Sequence, residues 1–130
     1  MIEIKNHNEF FKLQSTLSHV PFTQSEAWYD MLVSNGTVIR CFLSSKDKPV
    51  IALWGVESKI PFLGKSIFRI SGEAYDKTLD EKKIKKYYEY LTNLFDAIEI
   101  DSNNKYQIDF EIGLRRAGFK RPLGSFSCPL

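Results

Sequence analysis

Two histidines and two cysteines are the residues of this chain that could pair as imidazole and thiol. A thiolate becomes a useful nucleophile when a neighbouring base or cation lowers its pKa and a third group orients that base. His7 and His19 both lie near the N-terminus, Cys41 sits inside a branched and aromatic run, and Cys128 lies near the other end. No spacing among them implies a triad, so Cys41 is expected to be a small buried hydrophobe. Metal ligation is equally thin, with no Cys-x-x-Cys and no His-x-x-x-His. Asp101-Ser102-Asn103-Asn104 offers side-chain oxygens, but the same residue types set turn geometry after a strand. No metal site is expected.

Phosphate chemistry needs clustered glycines at a helix N-terminus. The glycines stand at 36, 55, 64, 72, 113, 118 and 124 and never cluster. Lys82-Lys83-Ile84-Lys85-Lys86 is a basic run, but Asp80-Glu81 precede it and Glu89 follows. It reads as the solvated face of a helix. The net charge of +2 is too balanced for a DNA-binding surface. No cofactor and no DNA partner follow from these residues.

The elements that must position any site announce themselves by caps and periodicity. Asn6 with Glu9 forms a capping box ahead of Phe10, Leu13 and Leu17. The chain breaks at His19-Val20-Pro21. Thr23-Gln24-Ser25-Glu26 reads as a second box, with Trp28, Met31 and Leu32 on one inward face and Gly36 as the stop. Thr37–Leu43, Pro49–Val56 and Lys65–Ile70 read as strands of an antiparallel meander, joined by the polar loop 44–48 and the turn 60–64. Thr78 and Glu81 read as the third box, ahead of a stripe of Ile84, Tyr87, Tyr88, Leu91, Leu94 and Phe95. Ala97–Asp101 is expected as a short buried strand. Tyr106–Ala117 is expected as a helix with Ile108, Ile112 and Leu114 inward, ended by Gly118, and Phe119–Leu130 as one or two closing strands. The expected order is α-α-β-β-β-α-β-α-β, a mixed α/β (α+β) sheet with helices on both faces.

At 130 residues the chain is one domain's length, enough to bury a real core. A hydrophobic share of 43% against 26% charged excludes a disordered tail. No apolar run approaches the ~20 residues that span a bilayer. The first seven residues have neither a basic nor an apolar signal region. Two cysteines do not make a disulfide scaffold, so a cytoplasmic domain with reduced thiols is expected.

Several motifs occur in an order that resembles one family. Phe22-Thr23-Gln24-Ser25-Glu26-Ala27-Trp28 is similar to the "F-x-Q-S-x-x-W" motif of FemAB/FemX-type aminoacyltransferases. The strand pair around Lys46, Lys48 and Pro49-Val50-Ile51-Ala52-Leu53 follows, then the turn Pro61-Phe62-Leu63-Gly64-Lys65. Ala97-Ile98-Glu99-Ile100-Asp101 resembles the family's "I-D" strand, and Leu114-Arg115-Arg116-Ala117-Gly118-Phe119 its "L-x-x-x-G-F" helix end. The likeness runs over roughly residues 20–130. Such proteins resemble two tandem GNAT-like domains, so the resemblance implies that residues 1–130 form one GNAT-like domain, expected to match the first half.

The resemblance implies a transferase that moves an aminoacyl or acyl group onto an amine, in peptidoglycan-bridge or surface-polysaccharide synthesis. It implies a second GNAT-like half or partner chain, with a cell-wall precursor and aminoacyl-tRNA as partners. A lone half is expected to be inactive, whether as a piece of a longer protein or a truncated gene product. An apolar patch is expected near Ser125–Leu130, where the second half would pack. The family's Arg-Gly-Pro-like turn before the long helix is here Ser71-Gly72-Glu73, without the arginine and with an acid. The substrate-binding candidates left are Trp28, Arg40, Lys65, Arg69 and Tyr75; no catalytic residue is assigned. Two rivals stand beside this reading. A non-catalytic carbohydrate- or peptide-binding module would line a degenerate cleft with Trp28, Trp54 or Tyr75. A stand-alone acetyl-CoA N-acetyltransferase would need a pyrophosphate loop, and Gly72–Thr78 has one glycine and two acids, which repel pyrophosphate.

Overall fold

The computed structural model describes residues 1–34, 36–101 and 108–120. The order is β1 (Ile2–Ile4), α1 (His7–Gln14), a 3-10 turn (Phe22–Gln24), α2 (Glu26–Leu32), β2 (Val38–Leu43), β3 (Ile51–Lys59), β4 (Ser66–Ser71), β5 (Ala74–Tyr75), α3 (Glu81–Thr92), β6 (Ala97–Asp101) and α4 (Ile108–Arg116). One sheet runs β1-β2-β3-β4-β6, with β5 on β3. All pairs are antiparallel except β4 with β6, which is parallel from Ile67–Ala97 to Ser71–Asp101. A parallel pair needs a crossover, and α3 supplies it.

The mixed α/β sheet with helices on both faces is as expected. Strand alternation sorts the core into two layers. Phe42, Leu53, Phe68 and Ile70 face α3 and meet Ile84, Tyr88, Leu91 and Phe95. Cys41, Leu43, Ala52 and Trp54 face the other way and meet Phe10 and Phe11 of α1. α4 packs on α3 so closely that a Cβ on Gly113 would stand 2.6 Å from Ile84 Cγ2.

Several boundaries differ from the sequence reading. β1 and β5 were not foreseen. They are two- and three-residue strands held by their partners, too short to carry a period. The Asn6 cap is as read, accepting from Glu9 N. α2 is capped by Ser25 rather than Thr23, and α3 by Asp80 rather than Thr78. In each case the nearer side chain reaches the orphan N–H. α2 stops at Leu32 with Val33 extended, and Gly36 serves the following turn instead, at φ 86. Met31 and Leu32 are not core residues: they are 71% and 42% exposed, because α2 buries no residue. Leu94 is exposed too, since α3 ends at Thr92 and the stripe is broken there. β6 alternates half-buried Ile98 and Ile100 with exposed Ala97, Glu99 and Asp101, so it is not a buried strand. Gly118 ends α4 at φ 98, as expected. Of the closing strands expected over Phe119–Leu130 only Phe119 and Lys120 are described, and neither lies in a strand; residues 121–130 with Cys128 and the Ser125–Leu130 patch, the loop 102–104 and Tyr106 lie outside the described residues.

Candidate functional site at the end of the parallel strand pair

In open sheets, ligands sit beyond the C-terminal ends of parallel strands, where the chain order switches. Here those ends are Ser71 and Asp101. Immediately after Ser71 the strand bulges. Gly55 pairs with Ile70, and Ala52 pairs with Ala74. Three residue steps on β3 therefore face four on β4–β5, so one residue is extra. Gly72, at φ 77, takes the kink.

A bulge leaves backbone groups without ladder partners, and these are buried. Gln24 satisfies them. Its Nε2 donates to Trp54 O at 3.1 Å and Ser71 O at 3.0 Å, and its Oε1 accepts from Trp54 N at 2.9 Å. Thr23 Oγ1 donates to Ser71 O at 2.8 Å. Gln24's own carbonyl accepts from Gln14 Nε2 at 2.7 Å and Trp54 Nε1 at 2.9 Å. The 3-10 turn is what aims Gln24 inward while Ser25 caps α2. The Phe-x-Gln-Ser motif is thus a brace for the bulge. Sequence reasoning named the motif but not Gln24's role, because the bulge it fills leaves only a single glycine as its trace.

Beyond the kink, Glu73 turns to the α3 layer. It is 1% exposed and accepts a hydrogen bond from Tyr88 Oη. Burial, and then the charge of Glu73, push the Tyr88 phenol well above its usual range, so it stays a donor. So enclosed a carboxylate does not reach a substrate; it anchors the loop to α3. His19 and Tyr75 pair through backbone at 3.1 and 2.9 Å, which fixes the chain after the bulge.

The N-terminus of α3 faces this end of the sheet. Asp80 already accepts from Lys83 N at 2.9 Å, Glu81 accepts from Arg116 Nη1 at 2.6 Å, and Asp76 accepts from Thr78 N at 3.3 Å. Asp80 fills the helix cap, while Glu81 is neutralised by Arg116 and Lys83 Nζ donates to Thr78 O at 3.1 Å. The occupied cap, rather than the net charge of the segment, is what disfavours a coenzyme A pyrophosphate at this helix.

The five candidate residues are not brought together. Arg40 lies mid-sheet, its guanidinium donating to Glu3 at 2.8 and 2.9 Å and Glu57 at 3.2 Å, 4.8 Å from the Phe95 ring centroid. The hydrogen bond to Arg40 holds the Glu3 carboxyl below its usual range. Arg69 donates to Glu99 on β6 at 2.8 Å. Lys65 is exposed at the β3–β4 turn, the opposite end of β4 from Ser71. Tyr75 is buried in the α3 layer, and Trp28 lies half-buried against Phe22 at 5.3 Å. Trp54 is also buried, so it and Tyr75 are occupied by packing, while Trp28 is only partly covered. Cys41 is fully buried, and burial pushes its thiol up to about 12. That removes it as a nucleophile at neutral pH. Among the described residues no cluster of His, Cys, Asp and Glu is placed to hold a metal, and no helix is long and apolar enough to cross a membrane. A cavity of about 320 Å³ lies between Phe95, Asp96, Ala117 and Lys120, at the start of β6 rather than its end.

This architecture is that of the GNAT acetyltransferases. A ribosomal-protein-alanine N-acetyltransferase from Brucella melitensis biovar Abortus 2308 superposes with a TM-score of 0.60 at 10% identity, over 99% of this chain and 97% of that one. An aminoglycoside acetyltransferase from an uncultured soil metagenomic sample, in complex with trehalose, gives 0.51 at 14%, over 99% and 94%. A probable acetyltransferase gives 0.56 at 9%, over 93% and 89%. No protein-family profile and no curated protein sequence matches the chain. The likeness establishes the fold. It does not separate the FemAB/FemX type from acetyl-CoA enzymes.

Proposed function

We propose that this domain belongs to an acyl-transfer machinery of FemAB/FemX type, in which an aminoacyl or acyl group passes to an amine of a cell-wall or surface-polysaccharide precursor. The observation that carries this reading is the Gln24-braced bulge beside an α3 N-terminus closed to phosphate by Asp80. The brace is built from the motif that resembles the family. The closed cap disfavours acetyl-CoA as donor and favours a donor without a pyrophosphate at that helix. The chemistry calls for a bound amine, loss of its proton and donors for the tetrahedral oxyanion. In this reading a second half or partner chain completes the site, and the exposed Met31, Leu32 and Val33 of the α2 end offer an apolar surface for it.

The stand-alone acetyltransferase reading is favoured by one observation, the near end-to-end match to whole acetyltransferase chains. Calorimetric titration with acetyl-CoA separates the two. No saturable heat is expected; a stoichiometric micromolar isotherm would replace the first reading with the second.

A further inference from the structure

The β3–β4 turn exposes an aromatic ring that the fold does not use. Leu63 N donates to Ile60 O at 3.3 Å and Ile60 N donates to Lys65 O at 2.7 Å. Pro61 occupies the second position of the turn and Phe62 the third, at φ 70. A negative φ followed by a positive one makes the turn type II, whose third position belongs to glycine or asparagine. A phenylalanine there is strained, and the residue is fully exposed. Leu63 beside it is 65% exposed. Backbone strain without a packing return calls for an account outside the fold.

The charge around the tip narrows what covers it. Lys59 and Lys65 flank the turn, both exposed, and neither has an ion-pair partner among the described residues. Of the nearby carboxylates, Glu57 is ion-paired with Arg40, whereas exposed Asp96 accepts, among the described residues, only from Ser66, at 2.8 Å from its N, so the two lysines outweigh a single uncompensated acid. The tip is convex, apolar at its apex and cationic at its shoulders. An apolar apex between two cations has the chemistry to enter the interfacial layer of an anionic bilayer, each lysine near the surface adding about 1 kcal/mol, or about fivefold in affinity.

We propose that this turn docks the protein on an anionic phospholipid surface, with Phe62 and Leu63 seated among the acyl chains and Lys59 and Lys65 on lipid phosphates. β4, Ser66–Ser71, spans about 17 Å at the usual strand rise, and the tip lies beyond its Ser66 end. Docking therefore leaves the strand-end site open, and the proposal stands apart from the functional reading above.

Co-sedimentation of the full chain with phosphatidylcholine vesicles, with and without phosphatidylglycerol, tests it. Salt-sensitive binding to the mixed vesicles is expected. Phe62→Asn should weaken it about tenfold or more, and Lys59→Gln and Lys65→Gln about fivefold each. Phe62→Trp should retain it. Asparagine suits the left-handed position, so Phe62→Asn should keep or raise Tm, and its loss of binding is not misfolding. No binding of the unaltered chain to mixed vesicles overturns the proposal, as does undiminished binding by Phe62→Asn. Absence of vesicle binding together with a Phe62-dependent dimer in sedimentation overturns it in favour of a protein occupant.

Discussion

Replacing Gln24 by alanine removes three side-chain hydrogen bonds at one buried point. Ser71 O keeps its bond from Thr23, so the two groups left orphaned are Trp54 N and Trp54 O. An unsatisfied buried backbone group costs ~1–3 kcal/mol. The deleted side chain leaves a void in a fully buried position, which adds a comparable amount. A destabilisation of at least about 3 kcal/mol is expected, a large share of the ~5–15 kcal/mol typical of a domain. Urea unfolding followed by tryptophan fluorescence measures it, since Trp54 sits at the brace. Gln24→Glu sharpens the test. A carboxylate still accepts from Trp54 N but cannot donate to Trp54 O or Ser71 O. It should be as damaging as alanine at neutral pH and partly recover in acid, where the protonated carboxyl regains one donor. Loss of less than about 1 kcal/mol in Gln24→Ala, or a Gln24→Glu variant indifferent to pH, would refute the brace.

Three further outcomes follow from particular contacts. In a Cys128→Ser background, Cys41 should resist thiol reagents at neutral pH until the chain unfolds, because burial pushes it to about 12; rapid native-state labelling would contradict this. Glu3 has its folded pKa lowered by Arg40, so its contribution is present above the unfolded value of 4.5 and is lost as pH falls through the folded one. Glu3→Gln should cost on the order of 1 kcal/mol at neutral pH and little in acid, read from Tm across pH. Gly113→Ala would gain about 1 kcal/mol from helix propensity if α3 and α4 were loosely packed. With Ile84 only 2.6 Å from the added Cβ it should instead lower Tm.

The strands and helices were legible where a period ran long enough: β2, β3, β4 and α3 appear within a few residues of their expected places. Caps were legible as positions but not as atoms. Thr23 and Ser25 are equivalent by type, and only the 3-10 turn decides that Thr23 bonds Ser71 while Ser25 caps. α2 misled because its apolar spacing signals a buried face, and nothing in periodicity says whether a partner lies opposite. The site was harder still. Gln24 and Glu73 are polar residues buried by contacts about 15 to 50 positions away, and a single glycine at 72 does not distinguish a bulge from an ordinary turn. Arg40 and Arg69 looked available as substrate-binding residues because their acidic partners Glu3, Glu57 and Glu99 come from other strands.

The brace and the helix cap serve different ends, which is why the donor question is separable from the fold. Gln24 shapes the backbone after Ser71 whatever is bound there. Asp80 and its neighbours decide only whether the α3 N-terminus can receive an anion. A carboxylate near a helix N-terminus contributes ~0.3–1 kcal/mol to the helix, and the same field turned outward opposes phosphate. Asp80→Ser keeps a capping oxygen while removing the charge. Combined with Asp76→Ser and Glu81→Gln, it should leave Tm within a few degrees and raise affinity for acetyl-CoA about tenfold or more, if charge is the barrier. Calorimetry reads that change directly. A triple variant that stays folded and still gives no heat would show that the charges were not the obstacle, and would place the obstacle in the shape of the 76–80 loop.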